Sequence, residues 1–273
     1  YIDPAWLSLA SNSETRNYDT FLMERDTIRK NFYRNALTEG LNIIEGNRGL
    51  FDGFDSSGLH STAELAKLLD IPIILVVPVK KVTRTVAAIV LGCKLLDRDL
   101  RIGGVILNQV ANKRQENLIR EAIYNETGIN VVGAIPKINA AKMPSRYLGL
   151  ITPAEYKFAE ESIATAADIV CEYVDIDGIV DIAKDVTEVE VDITETKQND
   201  EKTIRIGIFK DKVFTFYYQE NLEALEEEAE LVEISSLNEK KLPDIDGLYI
   251  GGGFPETNID KLIENKDIMV ELK

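Results

Sequence analysis

The densest chemistry in the sequence lies in EGNRGLFDGFDSSG, residues 45–58. This stretch combines glycines with carboxylates at Glu45, Asp52 and Asp55 and a cation at Arg48. Hard carboxylate oxygens at a strand end suit a Mg²⁺-nucleotide, because Mg²⁺ keeps most of its waters and takes one or two protein oxygens. A surface loop built from turn-forming Gly and Asp explains the same residues, and both readings stand at this point. No G-x-x-x-x-G-K-[ST] loop occurs in the chain, so a phosphate cradle is expected from sequence upstream of Tyr1. A second glycine strip, Gly251, Gly252 and Gly253, ends a strand-like run. Its backbone N–H groups could face an oxyanion or phosphate without side-chain obstruction, and a flexible turn is the alternative. The single histidine, His60, opens a helical pattern with no acidic or Cys partner nearby in sequence, and reads as a capping or packing residue. Cys93 and Cys171 lie far apart in helical apolar patterns. They read as buried thiols in a reducing compartment, and neither sits at a strand-to-helix elbow as a nucleophile would.

The elements that must position these residues follow from the apolar pattern. From residue 41 a short β-branched run, a turn and a helical period recur. LNIIEG (41–46), IPIILVVPV (71–79), IGGVILNQV (102–110) and NVVGAIP (130–136) are apolar on both faces, which predicts strands of a buried parallel sheet. Helices are expected between them over 60–70, 83–97 and 113–126, the first with Leu65, Leu68 and Leu69 on one face. This alternation predicts a doubly wound α/β domain, whose ligands bind beyond the carboxyl ends of the strands. A second α/β pattern begins with a strand at 203–210, a helix at 216–229 and a strand at 230–235. It continues through 242–256 as a strand running into the glycines. The acidic stretch 181–203, nearly free of aromatics, predicts a linker. The expected division is a domain over 1–180, the linker, and a second domain over 204–273 that is too short to be a complete doubly wound unit.

The 273 residues carry 31 Lys and Arg against 47 Asp and Glu, a formal net charge of −16, and 45% are apolar. The apolar share supports a packed core and excludes global disorder. The acid excess speaks against nucleic acid, where Lys and Arg facing phosphate supply most of the affinity, and against a polybasic membrane surface. No run approaches the roughly 18 apolar residues of a membrane span, so no membrane association is expected and a cytoplasmic location is. The charge is uneven: residues 1–180 carry a net −3 and residues 181–273 a net −13. The first region can therefore meet an anionic ligand without strong repulsion.

Taken in order, these segments resemble the cobyrinic acid a,c-diamide synthase family, glutamine-dependent amidases of corrin-type tetrapyrrole synthesis. YIDP (1–4) is similar to the end of the family's G-P-D-Y-I-D-P motif, and EGNRGLFDG (45–53) to its E-G-x-x-G-L-[YF]-[DE]-G. GLHSTAELAKLLDIPIILVV (58–77), VILNQV (105–110) and MPSRYLGL (143–150) continue the match. FTFYYQENLEALEEEAELVEISSL (214–237) and DGLYIGGGFPE (246–256) resemble the start of the family's glutaminase domain. The same family includes the nickel-sirohydrochlorin a,c-diamide synthase of methanogens, and these residues do not separate the two.

The resemblance implies a dethiobiotin-synthetase-like P-loop domain, N-terminally truncated, followed by the start of a class I glutamine amidotransferase domain. The first would use ATP and Mg²⁺ to activate the a and c carboxylates of a tetrapyrrole polycarboxylate, and the second would release ammonia from glutamine through a cysteine thioester. A carboxylate resists nucleophiles until its oxygen becomes a leaving group, and Mg²⁺ neutralises charge in that transfer. On this resemblance Glu45 and Asp52 fall on the acidic positions that hold Mg²⁺-ATP. Tyr1 and Asp3 fall close to the carboxylate being activated, and Asn108 on an adenine-contacting asparagine. Gly251, Gly252 and Gly253 fall on the glycines that shape the glutamine site and its oxyanion pocket. Arg84 and Arg146 are candidate clamps for substrate carboxylates by bidentate pairing, or ordinary surface arginines.

The chain opens in mid-motif at Tyr1 and closes in mid-pattern at Lys273, and the nucleophilic Cys and the His expected beyond GGGFPE do not occur. A piece of a longer protein is therefore expected, inactive by itself. A cobyric acid synthase-type amidase is an alternative that YIDP and GLFDG disfavour. A ParA-like partitioning ATPase or binding module is a non-enzyme alternative, disfavoured by the second α/β unit. Homodimerisation is expected by family analogy alone.

Overall fold

The computed structural model describes residues 1–138, 151–186 and 202–272. The described chain divides into two compact units. One holds residues 18–138 and 164–186, and the other gathers residues 1–17, 151–163 and 202–272.

The first unit is built on a parallel three-stranded sheet in the order β1 (Ile73–Pro78), β2 (Ile102–Val110), β3 (Val131–Pro136). Helices α4 (Thr85–Leu96) and α5 (Lys113–Thr127) form the crossovers. Their apolar stripes, Val86, Ala87 and Val90 on α4 with Ile119 and Ile123 on α5, close on Val77, Val79, Val105 and Leu107 of the sheet. The stripe period of three to four residues is what lays one face of each helix on the strands. Asn112 caps α5 by accepting from Gln115 N–H at 2.9 Å, and Gly128 ends it at φ 70°. On the other face α7 (Ile176–Ala183) puts Ile182 over Gly103 and Gly104 of β2, and Val174 lies on Gly133 of β3. Helix α3 (Thr62–Leu69) packs Ala63 and Ala66 against Leu100, with Ile71 and Ile73 beside them.

Three expectations change here. Residues 41–46 form no strand, and Ile43 is 80% exposed, because no neighbouring strand offers them a ladder among the described residues. The stripe on α3 is Ala63, Ala66 and Leu69, with Leu65 and Leu68 only half-buried, because small side chains let this helix approach closely. The start of the expected linker, 181–183, is the last turn of α7, since Ile182 is needed to cover the β2 glycines.

The second unit carries a parallel sheet in the order β6 (Glu230–Ile234), β4 (Arg205–Phe209), β7 (Gly247–Tyr249). Helix α8 (Gln219–Glu228) makes the crossover from β4 to β6, and Phe209, Ile234 and Ile268 form a small core. A two-stranded antiparallel ribbon, β5 (Phe214–Phe216) with β8 (Gly252–Gly253), stands at the carboxyl end of this sheet. The turn into β5 is set by Asp211, whose carboxylate accepts from the N–H groups of Val213 and Phe214 and from the Ser236 hydroxyl at 2.7 Å. Helix α1 (Ile2–Ser11) belongs to the same unit, and Trp6 Nε1 donates to the Ile151 carbonyl at 2.8 Å.

Candidate functional site

In the second unit the fold brings together residues more than 200 positions apart in sequence. Tyr1 is sandwiched between Phe216, ring centroids 5.0 Å apart, and Tyr218, 4.5 Å apart. Phe216 in turn pairs with Gly252 in the β5–β8 ribbon. Tyr217, between them, donates its hydroxyl to the Phe209 carbonyl and accepts from Gly251 N–H at 2.9 Å. Burial raises the Tyr217 phenol above its ordinary pKa, with the Gly251 N–H opposing. Glycine is required at 253, because a Cβ there would lie 1.8 Å from the Val213 carbonyl oxygen. Close approach to β5 thus accounts for that glycine, and the N–H of Gly251 already has a partner in Tyr217. Asp3 sits in the first turn of α1 with its side chain exposed.

A cavity of about 360 Å³ adjoins this ribbon, lined by Lys210, Asp211, Phe214, Thr215, Tyr217 and Gln219 among others. The Thr215 hydroxyl is buried without a hydrogen-bond partner among the described residues. The carboxyl end of β4, strand β5 and the start of α8 therefore border one concave surface.

The remaining candidates lie in the first unit. The loop after residue 45 closes on itself: Asp52 N–H donates to the Gly49 carbonyl at 3.0 Å, and Asp52 Oδ2 accepts from Gly49 N–H at 3.1 Å. Gly53 is required at its position, since a Cβ would meet the Leu59 carbonyl at 2.2 Å. Glu45 and Asp52 are both exposed, and Arg48 is held at φ 62°. Among the described residues no three His, Cys, Asp or Glu side chains are grouped to hold a metal ion. Mg²⁺ carried on a nucleotide needs only one or two protein carboxylates, since phosphates and water complete its shell.

Asn108 lies at the carboxyl end of β2, its backbone carbonyl accepting from Val79 N–H at 2.8 Å. The next residue, Gln109, sits at φ 64° where the β2–β3 register shifts, a bulge that re-aims side chains at the strand end. Gln115 ties the neighbouring loops: its amide donates to the Val79 and Val82 carbonyls at 2.8 and 2.6 Å and accepts from Ala111 N–H at 2.8 Å. Arg84 is 82% exposed and pairs with Glu126 at 2.8 Å. Arg146 lies outside the described residues.

His60 is a packing residue: its ring stands edge-on to Phe21 and Nδ1 lies 2.9 Å from Thr20 Oγ1. It does have an acidic neighbour, Glu64, whose carboxylate accepts from the His60 backbone N–H at 2.9 Å. The thiols depart from expectation, Cys171 being exposed and Cys93 half-buried, because α6 (Ala159–Tyr173) turns the Cys171 side of the helix outward. Both are free, and partial burial raises the Cys93 pKa. Sequence reasoning missed Gln109 and Gln115, whose roles depend on neighbouring strand ends. Phe216 and Tyr217 it quoted without giving them a role, although two adjacent aromatics before a helix start were a visible signal.

Two family profiles match the chain in the same order as the two patterns. One, described as AAA domain, covers residues 9–145, and one, described as CobB/CobQ-like glutamine amidotransferase domain, covers residues 205–273. A cobyrinate a,c-diamide synthase of Archaeoglobus fulgidus is 41% identical over 274 residues, covering 100% of this chain and 60% of that protein. Over residues 9–145 the chain belongs to the AAA domain family, and over its whole length it is similar to cobyrinate a,c-diamide synthases. Proteins of the same name from Methanobrevibacter smithii and Magnetococcus marinus are 38% and 40% identical, with 61% and 58% of their lengths covered. The chain thus spans about 60% of the length of the curated relatives it matches. No solved structure matches it. Residues 9–145 thus fall in an AAA domain and residues 205–273 in a CobB/CobQ-like glutamine amidotransferase domain. No helix among the described residues is long and apolar enough to cross a membrane.

Proposed function

We propose that the protein amidates the a and c carboxylates of a corrin-type tetrapyrrole, using ATP and glutamine, in the cytoplasm. The observation that supports this best is the packing of Tyr1, from the Y-I-D-P segment, onto Phe216, the β5 residue that pairs with Gly252 of the glycine strip. Residues expected at the activated carboxylate and residues expected at glutamine thus belong to one compact unit. In this reading Glu45 and Asp52 hold Mg²⁺ on the nucleotide, which supplies charge neutralisation during phosphoryl transfer. Asn108 contacts the base from the carboxyl end of β2, a position open to ligands in parallel sheets. Tyr1 and Asp3 orient the reacting carboxylate, and Arg84 and Arg146 are candidate cations for the other carboxylates. The Gly251–Gly253 strip borders the bound glutamine.

The test is made on the natural-length protein with ATP, Mg²⁺, glutamine and either cobyrinate or nickel-sirohydrochlorin. Two carboxylate-to-carboxamide steps are expected by mass spectrometry, each matched by one glutamate released. Glu45→Gln should lower the ATP-dependent rate by about 10²-fold, typical of removing one preorganised electrostatic contact. Absence of any ATP-dependent mass change on both macrocycles sinks the reading. Conversion of nickel-sirohydrochlorin alone moves the substrate to the nickel macrocycle.

A further inference from the structure

We propose that the Arg16–Glu223 pair is a positioning element that couples glutamine use to amide formation. The inference rests on the function proposed above. Arg16 Nη1 and Nη2 donate to Glu223 Oε2 and Oε1 at 2.8 and 2.6 Å, a two-pronged contact between residues 207 apart in sequence. The Arg16 side chain is only 14% exposed, so solvent screens this pair less than a surface pair.

One turn earlier on α8, Glu220 Oε1 accepts from Asn17 N–H at 3.2 Å. Its second oxygen is buried with no hydrogen-bond partner among the described residues. A buried orphan oxygen carries an uncompensated desolvation cost. The seat of residues 16 and 17 on α8 is therefore well satisfied at Glu223 and only half satisfied at Glu220.

At the other end of the same segment, Tyr1 lies between Phe216 and Tyr218, just before α8 begins at Gln219. Residues 1–17 are thus fastened at one end to β5 and the N-cap residue of α8, and at the other to α8 itself. A ligand that shifts the glycine strip moves Phe216, its pairing partner, and with it the Tyr1 ring. The Arg16 fork anchors the far end, so that the segment bearing Asp3 follows as one body. Energetic coupling of this kind is carried by packed side chains and hydrogen bonds in series.

The experiment compares the natural-length wild-type protein with Arg16→Gln, Glu223→Gln, Arg16→Lys and the reversed pair Arg16→Glu with Glu223→Arg. Each is given ATP and the tetrapyrrole with either glutamine or ammonium chloride, and glutamate and amide are both counted. The single Gln variants should raise glutamate released per amide formed by about fivefold or more, the low end of typical coupling effects. Their ammonium-driven amidation should stay at the wild-type rate. Arg16→Lys keeps the charge without the planar fork and should fall between, and the reversed pair should restore the ratio. Equal loss with glutamine and with ammonium would mean that the pair only holds the fold, and an unchanged ratio would mean that it couples nothing. Wild-type protein that forms amide from ammonium and never from glutamine overturns the coupling while leaving the amidation itself standing. No amide from either source overturns the proposed function instead.

Discussion

Both units are built round a parallel three-stranded sheet, yet they are held together differently. In the first, buried aliphatics from Val77 through Leu107 to Ala134 form one continuous core, and the most protected carboxylate pairs within its own helix. In the second the core is Phe209, Ile234 and Ile268, and much of the remaining order comes from contacts distant in sequence. These are the Arg16–Glu223 fork, the Tyr1 stack and the Asp211–Ser236 bond. A large apolar core tolerates polar groups that satisfy themselves locally. A small one leaves directional side-chain contacts to fix geometry.

The sharpest way to break this contrast is to open the larger core. Leu107 is fully buried in β2, between the α4–α5 layer and the neighbouring strands. Leu107→Ala should cost about 2–5 kcal/mol, from lost transfer energy plus the cavity left behind. Chemical denaturation reads the loss directly. A cost near zero would mean that this sheet is not held by its aliphatic interior.

Next in size is Gly253→Ala. The added Cβ would stand 1.8 Å from the Val213 carbonyl oxygen and 2.8 Å from its carbon, both backbone atoms with little freedom to yield. A cost of about 1–3 kcal/mol is expected, typical of overpacking, confined to the β5–β8 ribbon. Hydrogen exchange should show the Phe254 N–H, bonded to Val213 at 3.0 Å, losing protection while the β2 amides keep theirs. Unchanged protection at Phe254 would show that the ribbon is looser than its geometry implies.

The same contrast decides what could be read from the sequence. In the first unit IGGVILNQV is β2 residue for residue, and 113–126 is α5 to within one residue, because hydrophobic period and capping are local signals. LNIIEG misled because a β-branched run becomes a strand only beside another strand, which is a non-local condition. The glycine strip was visible as composition, while its partner Tyr217 and the close Val213 carbonyl were not. Glu223 reads as one acid among many in QENLEALEEE, and Arg16 as an isolated cation. Nothing short of the fold joins them. The candidate site was thus legible where its residues form a motif, and hidden where they are held by a partner far along the chain.

The smallest effect tests the local half of the contrast. Glu116 on α5 is buried, which pushes its carboxyl pKa up, but hydrogen bonds from Lys113 at 2.9 Å and Arg120 at 2.8 Å outweigh that and hold it below the ordinary range. A carboxylate lowered in the folded state contributes its full stability above its unfolded pKa, where both states are ionised. That contribution is lost as pH falls through the unfolded value toward the lower folded one, because the unfolded chain takes up the proton first. Lys113 is 75% exposed, so the pair is worth on the order of 0.5–1 kcal/mol. Denaturation of the wild type and of Glu116→Gln should therefore differ by that amount at neutral pH and converge at acid pH below the carboxylate range. Raising the salt concentration should shrink the difference at neutral pH, since both cations reach solvent. A gap that persists at low pH would show that Glu116 acts by packing, leaving the first unit with no electrostatic contribution at this position to set against the Arg16–Glu223 fork.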